Sequence, residues 1–138
     1  MLIDRWIESL LTQKPLAQLA ALASRLLMAL IFLLAGWGKV TGYAGTAHYM
    51  QAMGVPPSLL PLTIAVELGG GLLLLLGLWT RSVAAVLAGF SVITALIFHS
   101  QLSDQTTFIM FMKNLAMAGG LLQFVIHGGG AAALDARR

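Results

Sequence analysis

The amino-acid sequence predicts an all-α, polytopic membrane protein. We expect an antiparallel bundle of four transmembrane helices, preceded by an N-terminal amphipathic helix in the membrane interface. Of the 138 residues, 59% are hydrophobic and only 9% are charged, whereas soluble domains carry about a quarter charged residues. Four apolar stretches, at 17–40, 58–79, 82–100 and 106–127, each approach the ~20 residues that cross the hydrocarbon core of a bilayer.

Residues 1–15 predict the interfacial helix. Ile3, Trp6, Ile7 and Leu10 recur at helical spacing on one face, and polar residues occupy the other face. A helix with this pattern lies in the plane of the membrane interface, where tryptophan is also favoured. The same apolar face could instead pack on the bundle, and the sequence leaves both arrangements open.

Residues 16–130 predict the transmembrane domain, and residues 131–138 a short cytoplasmic tail. Short polar turns at 80–82 and 101–105 make the helices that they connect antiparallel neighbours. The longer connection at 41–57 predicts a short surface helix before Pro56-Pro57 start the second span. Glycines at 36, 38, 42, 69–71 and 119–120 predict close approach between helix backbones.

The distribution of positive charge predicts the orientation in the membrane. Arg5 and Lys14 precede the first span, Arg81 lies between the second and third, and Arg137-Arg138 close the chain. The connections at 41–57 and 101–105 contain no Lys or Arg. Because cytoplasmic loops are enriched in Lys and Arg, we expect a bacterial inner-membrane protein with both termini in the cytoplasm. The net charge of +3 forms no basic patch, so we expect lipid and not nucleic acid as its partner.

Several cofactor classes are not expected. The chain has no cysteine, which removes thiolate chemistry and iron–sulfur ligation. His99 and His127 fall at opposite ends of their spans, so they do not predict a haem site. No three His, Asp or Glu residues share one depth and face, so we predict no metal. The run Gly69–Gly71 lacks the frame of a phosphate-binding loop and follows no strand, so we predict no nucleotide.

The functional signal lies in ionisable side chains inside the spans. Such groups cost at least ~2.5–3.5 kcal/mol each at the centre of the bilayer, so they usually pair or line a polar cavity. Glu67 lies roughly 13 Å and Lys113 roughly 10 Å from the outer side, and Arg25 lies roughly 7–8 Å deeper than Glu67. We therefore predict a buried cluster with a rim nearer the outer surface. The cluster comprises Glu67, Lys113, Asn114 and Arg25, and the rim comprises Lys39 and His99.

This cluster has three interpretations. Its positive groups outnumber its one carboxylate, which predicts a site for an anionic or carbonyl-bearing ligand. Buried polar groups can also fix helix packing without doing chemistry, so a structural or assembly protein is the alternative. A small transporter or proton pathway is the third, although the apolar inner halves of the second and third spans argue against it.

An ordered series of motifs resembles the DoxX family of membrane proteins over roughly residues 20–130. The series comprises Arg25–Phe32, Ala35-Gly-Trp-Gly-Lys39, Glu67-Leu-Gly-Gly-Gly71, Gly77, Thr80-Arg81, Phe98-His99 and Phe111-Met-Lys-Asn114. The resemblance implies four transmembrane helices, which agrees with the number of apolar stretches. It also implies a membrane subunit of an oxidoreductase system, and with it a quinone-like ligand and a partner subunit or homo-oligomer. It assigns no reaction to this chain.

On this hypothesis each candidate residue has a role. Glu67 handles protons, and Lys113 and Asn114 hydrogen-bond a ligand carbonyl. Trp37, Phe98 and Phe111 flank a ring. The family positions that the resemblance carries over are Arg25, Lys39, Glu67, Arg81, His99, Lys113 and Asn114.

Overall fold

A computed structural model describes residues 1–137 and confirms the all-α fold. Arg138, the last basic residue of the orientation argument, lies outside the described residues. Four helices are long and apolar enough to cross a membrane. The helices are α1 (Leu2–Leu11), α2 (Lys14–Thr41), α3 (Tyr43–Ala52), α4 (Pro57–Leu76), α5 (Thr80–Phe98) and α6 (Gln105–His127), followed by a 3₁₀ turn at Leu134–Arg137.

The first helix, α1, is amphipathic and has no buried residue. Its apolar side chains are exposed: Trp6 retains 62% and Ile3 72% of its accessible surface. An uncovered apolar face next to the start of the first span suits a helix at the membrane interface. That location remains a prediction.

The four spans run antiparallel, so that the N-terminus of α2 and the C-terminus of α6 share one side of the bundle, the terminal side. Two contacts identify this side. Arg81 Nη1, in the first turn of α5, donates to the carbonyl of Val125 near the end of α6 (2.7 Å). Gly130, just beyond α6, approaches Ala21 of α2 so closely that a Cβ would lie 2.6 Å from the Ala21 Cβ.

Small and apolar residues fill the core between the spans. Ala29 and Phe32 of α2, Leu74 of α4, and Leu87 of α5 are buried there, and Leu121 of α6 joins them. Leucine, isoleucine and methionine side chains also cover much of the outer surface. In water that surface would be costly to expose, but lipid solvates it.

Glu67 lies in an irregular part of α4. This helix starts as a 3₁₀ turn at Pro57–Leu59, is α-helical at Leu60–Ile64, widens to a π-helical turn at Ala65–Gly69 and continues as α-helix over Gly70–Leu76. π-turns inside α-helices occur frequently at functional sites. Opposite this turn, α2 carries Gly36, where a Cβ would lie only 2.7 Å from Leu68 Cγ and 3.2 Å from Glu67 Cβ. The glycine therefore lets α2 approach α4 beside Glu67.

The connection between α4 and α5 lies earlier than predicted. Gly77 is left-handed (φ 71°) and ends α4, and Trp79 is also left-handed (φ 47°). The predicted turn residues Thr80, Arg81 and Ser82 instead form the first turn of α5. The glycine ends the helix because it adopts positive φ without a steric penalty.

The C-terminal segment is docked on the bundle. The Asp135 carboxylate accepts hydrogen bonds from the backbone N–H groups of Trp79 (2.8 Å) and Thr80 (2.7 Å) and from the Thr80 hydroxyl (2.8 Å). The Asp135 N–H in turn donates to the carbonyl of Gly77 (2.9 Å). Asp135 thus caps the N-terminus of α5 from a distant part of the chain, a favourable position for a carboxylate.

Candidate intramembrane ligand site

A cavity of about 820 Å³ opens in the half of the bundle away from the terminal side. Its walls come from α2, α3, α4, α5 and α6. Most of the lining is apolar, for example Ile31, Val66 and Met117. The polar side chains on its walls include Lys39, Thr46, Tyr49, Glu67, Ser91, Thr94, His99, Lys113 and Asn114. A cavity of this size and composition is typical of sites for small molecules.

The ion pair of the cavity joins Lys39 of α2 to Glu67 of α4. Lys39 Nζ lies 3.0 Å from Glu67 Oε1 and 2.9 Å from Oε2. Only the contact with Oε1 has hydrogen-bond geometry, so no hydrogen-bond donor of residues 1–137 is directed at the buried Oε2. The Glu67 side chain retains 7% of its surface and that of Lys39 retains 26%. The predicted partners of Glu67 were Lys113 and Arg25. The structure gives it Lys39 instead.

Asn114 faces α5 and is buried. Its amide nitrogen donates to the Ser91 carbonyl and to Thr94 Oγ1, both at 3.1 Å. The Thr94 hydroxyl is itself a donor to the carbonyls of Phe90 (2.8 Å) and Ser91 (3.1 Å). The sequence singled out Asn114 but not Ser91 or Thr94, because serine and threonine at helical positions usually bond only to their own helix backbone.

Lys113 and His99 line the cavity without joining the ion pair. Lys113 is exposed, and no carboxylate of residues 1–137 lies within salt-bridge distance of it. His99 follows the last residue of α5 and is partly buried. Burial, and secondly the charge of Lys113, lower the pKa of His99, which disfavours the charged imidazolium. The predicted place of His99 at the outer rim of a polar cluster stays a prediction.

The aromatic residues that line the cavity are Phe32, Tyr49, Phe90 and Phe98. Tyr49 of α3 stacks on Phe98 of α5, with ring centroids 5.6 Å apart and an interplanar angle of 27°, and both line the cavity. The short helix α3 thus helps to enclose the site, a role that its prediction as a surface helix did not include. Trp37 is 60% exposed and does not line the cavity. Phe111 does not line it either, so neither ring is placed to flank a ligand there.

The structure does not bring Arg25 to Glu67. The Arg25 side chain is 1% exposed and lies towards the terminal side. Its Nη1 donates to the Leu75 carbonyl (2.9 Å), and its charge interacts favourably with that of Asp135. Its Nε has no hydrogen-bond acceptor among the described residues. The depth argument placed Arg25 below Glu67 and assumed that the guanidinium reaches upward. Its partners, the Leu75 carbonyl of α4 and the charge of Asp135 in the docked C-terminal segment, lie in the opposite direction.

Within residues 1–137, no three His, Cys, Asp or Glu side chains are close enough to share a metal ion. Besides hydroxyl groups, the polar groups of the cavity are two ammonium groups, one carboxylate, one imidazole and one amide. This set can orient a polar head group, neutralise a negative charge on it and exchange a proton with it through Glu67.

Comparison with known proteins places this arrangement in a family. The sequence model of DoxX matches residues 20–100. The chain is 50% identical over 122 residues to "Inner membrane protein YqjF" of Escherichia coli (strain K12), which covers 88% of this chain and 94% of the relative. This chain belongs to the DoxX family. The resemblance predicted from the sequence motifs is therefore confirmed.

Two further relatives of this DoxX-family chain are informative. "Inner membrane protein YphA" of Escherichia coli (strain K12) is 36% identical over 124 residues, which covers 84% of this chain and 88% of the relative. "Putative oxidoreductase CatD" of Bacillus subtilis (strain 168) is 32% identical over 71 residues, which covers 51% of this chain and 53% of that relative. No solved structure matches the chain significantly. The four apolar helices and these relatives identify an integral inner-membrane protein.

Proposed function

We propose that this protein is a membrane subunit of an oxidoreductase system and binds a quinone-like or small anionic ligand in the cavity. The observation that carries the proposal is the ion pair between half-buried Lys39 and buried Glu67 on the wall of a cavity of about 820 Å³. Lys113 and His99 share the cavity, so its basic side chains outnumber its one carboxylate. A ligand oxygen with negative charge would balance this excess. The oxidoreductase part rests on the name of the more distant relative from Bacillus subtilis.

In this account the protein supplies binding and proton handling. Lys113 would contact a ligand oxygen, because its ammonium has no carboxylate partner among the described residues. Glu67 would exchange a proton with the ligand, and Lys39 would stabilise the carboxylate form of Glu67. Electrons would pass between the ligand and a partner subunit, because the chain has no cysteine with which to form a redox-active disulfide or bind an iron–sulfur cluster.

A structural role is the second candidate, because the ion pair also holds α2 against α4 where Gly36 lets them approach. That role leaves the volume of the cavity unexplained. A transport pathway needs a polar route to both sides of the membrane. The buried side chains of Phe32, Leu74 and Leu121 lie between the spans and argue against such a route.

Native mass spectrometry tests the proposal. The protein would be extracted gently from its native membrane as wild type, as Glu67→Gln and as Glu8→Gln. The Glu8 variant makes the same chemical change on the exposed helix α1. We expect a bound small molecule on wild type and on the Glu8 variant, and its absence from a folded Glu67 variant. Wild type that carries only bulk lipid would refute the ligand site and favour the structural role.

We also propose that both termini lie in the cytoplasm, from the positive-inside pattern. Because the chain has no cysteine, single substitutions can report this orientation. A membrane-impermeant thiol reagent added to spheroplasts should label Ser103→Cys, and should label Ala136→Cys only after lysis. The reverse pattern would refute the orientation.

A further inference from the structure

The hydrogen-bonding capacity of its neighbours allows the Asn114 amide only one orientation. The Ser91 carbonyl can only accept a hydrogen bond, so the atom of Asn114 that faces it at 3.1 Å is the nitrogen. The Thr94 hydroxyl directs its one hydrogen to backbone carbonyls of its own helix, so it accepts from the same nitrogen. The amide nitrogen therefore makes two hydrogen bonds, which is its full capacity.

In this orientation the amide oxygen, Oδ1, is available to accept a hydrogen bond from a ligand in the cavity. Asn114 is only 8% exposed, yet it lines the cavity wall. No hydrogen-bond donor of residues 1–137 reaches its Oδ1 in the hydrogen-bond network of α5 and α6. Asn114 thus presents an acceptor and has no hydrogen left to give a ligand. The sequence prediction that Asn114 donates to a ligand carbonyl does not fit this geometry.

Glu67 lies on the same wall, but its carboxylate already has a partner. Its buried Oε2 lies 2.9 Å from the ammonium of Lys39. The rest of the lining is dominated by apolar side chains, such as Ile31, Phe90 and Met117. The cavity therefore offers the Asn114 oxygen as an acceptor for a hydroxyl or N–H group and an apolar volume for the remainder of the ligand.

We infer that the cavity selects an amphiphile that carries a hydroxyl donor, and that Asn114 Oδ1 determines this specificity by accepting from that hydroxyl. The inference rests on the proposed function and narrows its ligand class. If the ligand exists in hydroxyl and carbonyl forms, the hydroxyl form binds more tightly. Thr94 is a positioning residue, because it holds the amide in the orientation that excludes donation.

A pair of redox-inert probes tests the inference on the full-length protein. 4-Pentylphenol and its methyl ether, 4-pentylanisole, have the same ring and tail, and only the phenol can donate. Both fit the cavity volume of about 820 Å³. Binding would be measured by equilibrium dialysis of protein in lipid nanodiscs, after detergent washing to remove resident small molecules. Empty nanodiscs would give the partition of each probe into lipid, which is subtracted.

We expect wild type to bind the phenol roughly fivefold more tightly than the ether, because that is the usual net contribution of one hydrogen bond. Asn114→Leu, which keeps a similar volume, should reduce this ratio to about one. Thr94→Val keeps Asn114 but frees one amide hydrogen, so it should lower the ratio by strengthening binding of the ether. A purely structural role for either residue would change both affinities together and leave the ratio unchanged.

Three results would overturn the inference. These are equal binding of both probes to wild type, a ratio that survives Asn114→Leu, and no saturable binding of either probe. A ratio that survives Asn114→Leu and is lost in Glu67→Gln would assign the selectivity to Glu67 instead. These results concern the probes. Whether a native ligand occupies the cavity is measured separately, by the mass-spectrometric comparison of wild type and Glu67→Gln.

Discussion

Replacing Lys39 by methionine would leave the Glu67 carboxylate buried without its counter-charge. The two side chains form the ion pair inside the bundle, with Nζ within 3.0 Å of both carboxylate oxygens. Methionine keeps the length and most of the volume of lysine, so the change removes charge and little packing. The comparison is Lys113→Met, which removes a cavity lysine that has no salt-bridge partner among the described residues.

The size of the effect follows from burial. Removing one partner of a fully buried ion pair costs about 3–5 kcal/mol. The Lys39 side chain keeps 26% of its surface, so solvent screens part of its charge. Glu67 can also take up a proton when unpaired, which limits the penalty. We therefore expect Lys39→Met to lower the free energy of unfolding by about 2–4 kcal/mol, and Lys113→Met to lower it by less than about 0.5 kcal/mol.

The free energy of unfolding of both variants can be measured under the same conditions. Sodium dodecyl sulfate is titrated into the purified protein in mild detergent micelles, and unfolding is followed by circular dichroism. The double variant Lys39→Met with Glu67→Gln removes both charges. It should recover much of the stability lost in Lys39→Met, because a neutral pair leaves no uncompensated charge. Equal effects of Lys39→Met and Lys113→Met would refute the assignment of Lys39 as the partner of Glu67.

Three further predictions concern stability. Gly36→Ala should lower the free energy of unfolding by about 1–3 kcal/mol, because the added methyl group overpacks α2 against Leu68. Gly38→Ala is the control, since a Cβ there meets nothing within 4 Å. It should be neutral or stabilising in the same unfolding titration. Asp135→Ala removes the cap of α5 and should lower the free energy of unfolding by at least about 1–2 kcal/mol. Thr80→Val should lower it by less in a parallel titration. An equal effect of the two variants would contradict a capping role. The pKa of His99 is lowered in the folded protein, so the unfolded chain binds its proton first as pH falls below about 6.5. Thermal stability in detergent should therefore decrease from pH 7 to pH 5, and His99→Gln should flatten that decrease. An unchanged slope in this variant would contradict burial of His99.

The sequence sufficed to predict the spans because bilayer thickness sets the length of each apolar stretch. It also predicted α3, where Pro56-Pro57 separate the loop helix from α4. The boundary between α4 and α5 was wrong by several residues. Polarity suggested Thr80–Ser82 as the turn, but the left-handed backbone at Gly77 and Trp79 ends and restarts the helices.

Most of the candidate residues line one cavity, but the predicted partners of Glu67, Lys113 and Arg25, were wrong. Depth along the membrane normal was estimated from residue number, and it gives no rotation about each helix axis. Lys113 and Asn114 are adjacent and so point about 100° apart; Asn114 bonds to α5 while Lys113 is exposed. The π-helical turn at Ala65–Gly69 changes the rotation at Glu67, and a single sequence gives no reliable signal for such a turn.

The role of Asp135 was missed because it follows a stretch of Gly and Ala and was assigned to a tail. Its signal was an isolated carboxylate on the side of the bundle that carries most of the basic residues. Such a residue has partners within reach, here the start of α5 and the buried Arg25. A tail that carries a single acidic residue next to a basic helix end therefore merits treatment as part of the fold.

The central claim is that the cavity beside the Lys39–Glu67 pair holds a ligand. A cryo-electron-microscopy map of the protein, taken from its native membrane into nanodiscs without added ligand, tests this most directly. We predict non-protein density in the cavity, with its polar end within hydrogen-bond distance of Asn114 Oδ1 or Lys113 Nζ. A cavity that is collapsed, or that is filled only by water around an intact Lys39–Glu67 pair, would contradict the claim and leave the pair a structural role.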